Sequence, residues 1–217
     1  GADDEVFYSR IGQTRSFLGT LPTPLLADEI LEDGEDRIRA MFVLAGNPLL
    51  TSTNSQKTAR ALAELELLVA VDILRNETAE YAHYFLPGTH FSERPDIPFT
   101  FFSFSGLMPE PWFQYTDALL PPPGDCRDES WIIRQLAKHC GAPLFGSRLL
   151  QTALNTGEQL AKLPWLGKRL TPLPERLLGL IGRAGKLGGL KALRRHPHGI
   201  QLPKIEGNSY LGKRVLA

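Results

Sequence analysis

Several features that would settle a chemistry are missing from the sequence. Two cysteines, Cys126 and Cys140, occur in 217 residues and stand in no CxxC or Cys/His ligand spacing. No metal or iron–sulfur site can be built from them, and they read as free thiols of a reducing compartment. No GxGxxG fingerprint is present. In "GLIGRAGKL" a phosphate-binding loop would need glycine in place of Leu180 and Ser or Thr in place of Leu187, so ATP and NAD in their commonest modes are not expected. There is no GxSxG elbow and no Ser/His/Asp or Cys/His set that sequence can bring together, hence no candidate nucleophile. No apolar run approaches the ~18 residues that span a bilayer. Of the five histidines, His196 and His198 in "RRHPHGI" straddle a proline and read as a turn rather than a ligand pair.

Net charge is also missing, but only in the sum. Residues 145 to 217 hold 13 Lys/Arg against 3 Asp/Glu, while residues 1 to 144 hold 11 against 21. A chain with a net +10 part and a net −10 part gives the two different roles. The basic run Lys186, Lys191, Arg194 and Arg195 has no interleaved aromatics, which argues against nucleic acid. It is expected to be solvated or to pack on an acidic surface. The opening "GADDEVFYSR" has no Met, no basic n-region and no apolar core, so it reads as a cut or processed end rather than a signal peptide. The expectation is a cytoplasmic piece of a longer chain.

What is there alternates between strand and helix signals. Residues 1 to 24 form an irregular lead-in. "PLLADEILEDGED" places Leu25, Leu26, Ile30 and Leu31 near helical spacing and stops at Asp33-Gly34. A strand follows at Ile38 to Ala45. "TSTNSQKTARALAELE" carries capping residues and puts Ala59, Leu62 and Ala63 on one helix face. "LLVAVDI" is a nearly continuous apolar run, as expected of a parallel strand covered on both faces. Together these make a βαβ unit. "NETAEYA" reads as a turn or two of helix capped by Asn76, and "HYFLPG" as a third short strand.

The aromatic and proline-rich stretch from Thr89 to Leu120 is expected to run extended over the sheet edge. "PPPGD" is a spacer. "DESWIIRQLAKHCG" is a helix capped by Asp128, with Ile132, Leu136 and Cys140 on one face and Gly141 at its end. Beyond Phe145 short helical pieces are broken by Gly and Pro. The fold class expected is α/β, a Rossmann-like parallel sheet with flanking helices (residues 25 to 145), followed by an irregular, basic, partly helical segment (146 to 217).

Two strand ends hold the candidate site. "IRAMFVLAGNPLL" runs an apolar strand into Gly46, Asn47 and Pro48. The glycine lets a ligand approach the backbone, and the Asn47 amide offers a donor and an acceptor. Asp72 ends the second strand at the same level of the sheet, where open α/β sheets place ligands. Its carboxylate can accept two parallel hydrogen bonds, from ribose hydroxyls or from guanine's adjacent N–H donors. A plain strand-ending turn at Gly-Asn-Pro and a helix-capping role for Asp72 are the structural alternatives.

The string of blocks "IRAMFVLAGNPLL", "LELLVAVDILRNETAEYAHYFLPG", "FSERPD", "PPPGDCRDESWIIRQLAKHCG" and "LFGSRLL" resembles the molybdopterin oxidoreductases, the bis-molybdopterin-guanine-dinucleotide enzymes that include formate dehydrogenases and periplasmic nitrate reductases. "LPTPLLADEILEDGEDRIRA" and "HPHGIQLP" resemble a bacterial formate-dehydrogenase-like subgroup. The resemblance implies a domain fragment that holds the guanosine end of one molybdopterin guanine dinucleotide, with molybdenum or tungsten and an iron–sulfur cluster carried by the parent. The positions it implies for cofactor contact are Gly46, Asn47, Pro48, Val71, Asp72, Thr78, Arg94 and Asp128. "DESW" has one residue more than the family spacing, so Glu129 stands beside Asp128 for the acid position. The family's N-terminal cysteine cluster and its metal-ligating segment have no counterpart in this sequence, and of its C-terminal domain only a beginning could fit. The implied partners are therefore the remaining domains of the parent chain, with no catalysis by this piece alone. A non-catalytic docking or assembly module, suggested by the charge split, and a Rossmann-like domain for an adenosine nucleotide are the rival readings.

Overall fold

The computed structural model describes residues 6–17, 19–97, 112–142, 146–161, 163, 173–184 and 188–202. The chain divides into two compact units, one of Gly1–Thr89 with Asp125–Glu129 and one of His90–Gly124 with Ser130–Ala217.

The first unit is built on a parallel sheet in the order β1-β2-β3, with β1 Ala40–Leu44, β2 Leu67–Asp72 and β3 Tyr84–Pro87. Its register sets Leu44 opposite Val71 and Asp72 opposite Pro87, so all three strands end at one level. Helices α1 (Leu26–Leu31) and α3 (Ser55–Ala63) share a core with the sheet, and the one-turn α2 (Pro48–Thr51) leaves β1 directly. Val43 and Leu68 pack with Ala27, Ile30, Ala61, Leu62 and Leu65. Alternation along the strands forces the matching apolar residues to the sheet's other side. Lys57 on α3 pairs with Asp28 on α1 across the same layer. Asn54 starts α3 from the left-handed region, φ 58°, and its side chain accepts from the Lys57 amide at 3.1 Å.

Two expectations are corrected here. The inner face of α3 is Thr58, Ala61 and Leu62, followed by Leu65, rather than Ala59, Leu62 and Ala63. Both sets have helical spacing, and small alanines do not tell one from the other. The run "LLVAVDI" is covered on both faces only towards its carboxyl end, where Ala70 and Val71 are both buried. Phe42 and Tyr84, either side of Val69 in register, are exposed, Tyr84 by 64%.

In the second unit β4 (Trp112–Phe113) pairs antiparallel with β5 (Ile200–Gln201). Among the described residues four α-helices accompany them: α4 (Glu129–His139, its first residue counted with the first unit), α5 (Arg148–Ala161), α6 (Leu173–Ala184) and α7 (Leu190–Leu193). Ile97, Phe113, Tyr115 and Leu193 form the core, with Leu178, Leu190, Ile200 and Leu202 against it. Gly199, φ 85°, admits β5 because a Cβ there would come 3.1 Å from the Phe113 carbonyl oxygen.

At its described ends the aromatic and proline-rich stretch pairs within this unit, Asp96 with Thr116 and β4 with β5. Residues 98–111 of that stretch lie outside the described residues. On α4 the buried residues are Ile132 and Arg134, while Cys140 is exposed. Cys140 follows the last helical residue, where Gly141 at φ 67° turns the chain out of the helix. "RRHPHGI" forms the expected turn, closed by the Gly199 amide on the His196 carbonyl at 2.9 Å.

Candidate functional site at the strand ends

The carboxyl ends of β1 and β2 are joined before any ligand is considered. The Ala45 amide donates to the Val71 carbonyl at 2.8 Å, extending the parallel ladder by one bond. Ala45 then takes a left-handed conformation, φ 49°, and swings the chain into Gly46. Asn47 follows with Pro48 at the first position of α2, where a missing N–H costs nothing.

The connection after β2 supplies the side chains that hold this loop. The Thr78 hydroxyl donates to Asn47 Oδ1 at 2.7 Å and accepts from the Leu49 amide at 3.1 Å. Asn47 Nδ2 donates to Glu77 Oε2 at 2.7 Å. Asn76 Nδ2 donates both to the Gly46 carbonyl at 3.2 Å and to Asp72 Oδ2 at 3.0 Å. Asn76 Oδ1 meanwhile caps the turn at Ala79–Tyr81, accepting from the Ala79 amide at 3.1 Å. Asp72 Oδ1 accepts from the Ile73 amide at 2.7 Å and from the Leu74 amide at 3.3 Å. Glu77's own backbone N–H and the Asn47 amide hold its carboxyl below the usual carboxylate range.

A tally of hydrogen-bonding positions says what is left for a ligand. An amide side chain has four positions, and Asn47 spends two, leaving one N–H and one lone pair. A carboxylate has about four acceptor positions. Asp72 spends three among the described residues, so Oδ2 keeps one, and the Leu74 bond at 3.3 Å on Oδ1 is the weakest of the set. Two parallel bonds to Asp72 would therefore require the Leu74 amide to give way. Carboxylates dominate the rim, with Asp72 and Glu77, while Arg75 in the same connection is paired with Glu80 at 3.1 Å. Such a set of acceptors suits uncharged N–H and O–H groups and repels phosphate.

The sequence-chosen residues fall into three groups. Gly46, Asn47, Pro48, Asp72 and Thr78 come together. Thr78 is fully buried, and its role is to position Asn47. Val71 belongs to the same strand end but is 1% exposed, so only its backbone is available, and its carbonyl is taken by Ala45. Asp128 lies in the first unit, in the segment whose Arg127 amide donates to the Pro87 carbonyl at 3.0 Å and so borders the end of β3. Glu129 is the residue packed on Gly88, where a Cβ would stand 3.9 Å from its Cγ. Arg94 belongs to the second unit.

Sequence reasoning missed Glu77, gave Asn76 only a capping role, and missed the left-handed Ala45. Thr89, after Gly88, was missed too: its buried hydroxyl has no hydrogen-bond partner among the described residues. Only "NET" directly after the second strand, a run of polar side chains where a ligand loop is expected, signalled the first two.

Comparisons with known proteins agree with this region. A family model described as molybdopterin oxidoreductase matches residues 18–139. A probable oxidoreductase of Bacillus subtilis is 32% identical over 115 residues, 53% of this chain and 16% of the relative. The acetylene hydratase of Syntrophotalea acetylenica is 33% identical over 104 residues, 48% of this chain and 13% of the relative. The alpha subunit of an F420-dependent formate dehydrogenase from Methanocaldococcus jannaschii is 27% identical over 117 residues, 54% of this chain and 16% of the relative. The chain thus spans less than a fifth of the length of these curated relatives. Since the family match covers more than half of the chain and takes in all three parallel strands with both joined strand ends, the chain belongs to the molybdopterin oxidoreductase family.

Proposed function

We propose that the first unit holds the guanosine end of a molybdopterin guanine dinucleotide, as one part of a larger, formate-dehydrogenase-like oxidoreductase. The observation that supports this reading is the pairing of unspent groups on Asn47 and Asp72 at adjacent strand ends, locked by Thr78 and Asn76. The acceptor-rich rim fits a nucleoside, whose ribose and guanine edge present N–H and O–H donors. It does not fit the diphosphate, which then needs cations from elsewhere. Asp72 Oδ2 accepts from the base or ribose, Asn47 adds a donor and an acceptor, and Gly46 leaves room for the base to lie on the backbone. The redox chemistry is the cofactor's, and these residues contribute grip and orientation.

The formate dehydrogenase subunits among the relatives support the likeness to that subgroup. The rival docking reading through the basic tail loses one of its residues. Arg194 is spent on Asp117 and Glu175 inside the second unit.

Calorimetric titration of the chain with GDP and with ADP tests the proposal. GDP is expected to bind at least roughly tenfold more tightly, since adenine lacks guanine's adjacent donors, and Asp72→Ala is expected to abolish the difference. Equal affinities in the unaltered chain contradict it.

A further inference from the structure

The second unit carries a groove of about 620 Å³ between α6 and α7 whose charge nothing in the first unit's site explains. Arg176 and Arg183 come from α6, Lys191 from α7 and Arg195 from just beyond it; Leu180 and Leu190 supply apolar lining. The two helices approach closely because glycines face leucines. A Cβ at Gly179 would stand 3.1 Å from Leu190 Cγ, and one at Gly182 only 2.9 Å from Leu193 Cδ1. The Arg183 guanidinium lies against the backbone, since a Cβ at Gly189 would be 3.1 Å from its Nε.

Among the described residues, the charge of this groove has no counter-charge. Among the described residues, none of these four cations forms a salt bridge with a carboxylate. Glu175, the acid in the first turn of α6, bonds Arg194 at 3.2 Å instead, and Asp117 grips the same guanidinium through both carboxylate oxygens. Both of these acids are thus spent on the groove's neighbour, Arg194. Four like charges around one cavity repel one another, and a bound polyanion removes that repulsion. Three of the four are arginines, whose planar forks match phosphate oxygens in pairs. Among the described residues no aromatic lines the groove, so they offer the bases of a nucleic acid strand nothing to stack on.

We propose that this groove binds a small molecule carrying two phosphate groups. Each phosphate monoester brings about −1.5 to −2 charges at neutral pH, so two of them match the four cations. The volume is that of a small-molecule site, and Leu180 and Leu190 cover the ligand's less polar part. The proposal is independent of the guanosine reading: it concerns other residues and another chemical group.

Inorganic pyrophosphate is the probe, titrated into the whole chain at about 150 mM salt so that loose ion-atmosphere effects are screened. Saturable one-to-one binding is expected, weakened at least roughly tenfold by Arg183→Gln with Arg195→Gln, and unchanged by Arg37→Gln with Arg60→Gln in the first unit. Circular dichroism of each variant establishes that the helices are intact. The groove variants leave the preference for GDP over ADP unchanged, whereas Asp72→Ala abolishes that preference and leaves pyrophosphate binding unchanged, so the two readings fail separately. Absence of saturable heat overturns the proposal. So does an equal loss in both double variants, or competition by sulfate as strong as that by pyrophosphate.

Discussion

Thr78 and Asn47 meet across 31 residues of sequence: the buried hydroxyl of one donates to the side-chain carbonyl of the other at 2.7 Å. The same hydroxyl accepts from the Leu49 amide, so a single oxygen fixes the rotamer of Asn47 and the first turn of α2. Strand ends become a binding surface only when their side chains hold one orientation, and this hydroxyl supplies that constraint.

Thr78→Val keeps the shape and removes the hydroxyl. It leaves the Leu49 amide and Asn47 Oδ1 without this partner in a half-buried place, at an expected cost of about 1–2 kcal/mol. A fall of that size in the urea-unfolding free energy checks it. Nucleotide affinity should fall with it, because Asn47 is no longer held. A change within about 0.3 kcal/mol would show that the hydroxyl bond does not contribute.

Ala45 sits in the left-handed region at the end of β1, where a side chain is strained by about 1–2 kcal/mol. Ala45→Gly relieves that strain and loses part of the gain to a freer unfolded chain, for a net stabilisation of about 0.5 kcal/mol. Ala45→Val, branched at the strained position, is expected to destabilise by about 1–2 kcal/mol. Opposite signs in the two urea midpoints are the result to look for.

Folding lowers the Asp117 carboxyl from its ordinary 3.8, first through the hydrogen bonds from Arg194 and then through the Tyr115 hydroxyl. A depressed carboxyl stabilises the fold above its unfolded pKa, and the contribution is lost as pH falls through the folded value. Both partners are about half exposed, so solvent screening keeps the network near about 1 kcal/mol. Asp117→Asn should therefore lower the melting temperature by about 2–4 °C at neutral pH. The gap to the unaltered chain should narrow as pH falls from 3.8 through the lowered folded value and close once both carry an uncharged side chain. Thermal melts across that range read it directly.

The parallel sheet and its strand ends were legible in the sequence because long apolar runs stop at residues of distinct chemistry, Gly46-Asn47 and Asp72. The bonds that tie those ends were not, since no local pattern links Asn47 to Thr78 or Gly46 to Asn76 some thirty residues away. Strands of two residues leave no period, so the pairing of Trp112–Phe113 with Ile200–Gln201 was hidden. Gly179 and Gly182 read as helix breakers, yet they sit inside α6 as seats for Leu190 and Leu193. Burial of Arg134 ran against its residue type and had no signal at all.

Backbone amide chemical shifts of the isotopically labelled chain, followed while guanosine is added, test the central claim most directly. Guanosine carries no phosphate, so the basic groove does not contribute. Shifts concentrated on Gly46, Asn47, Ile73, Leu74 and Asn76, with Leu74 moving most as its bond to Asp72 gives way, are the expected result. Shifts that gather elsewhere, or that leave these five amides unmoved at saturating guanosine, would contradict the account.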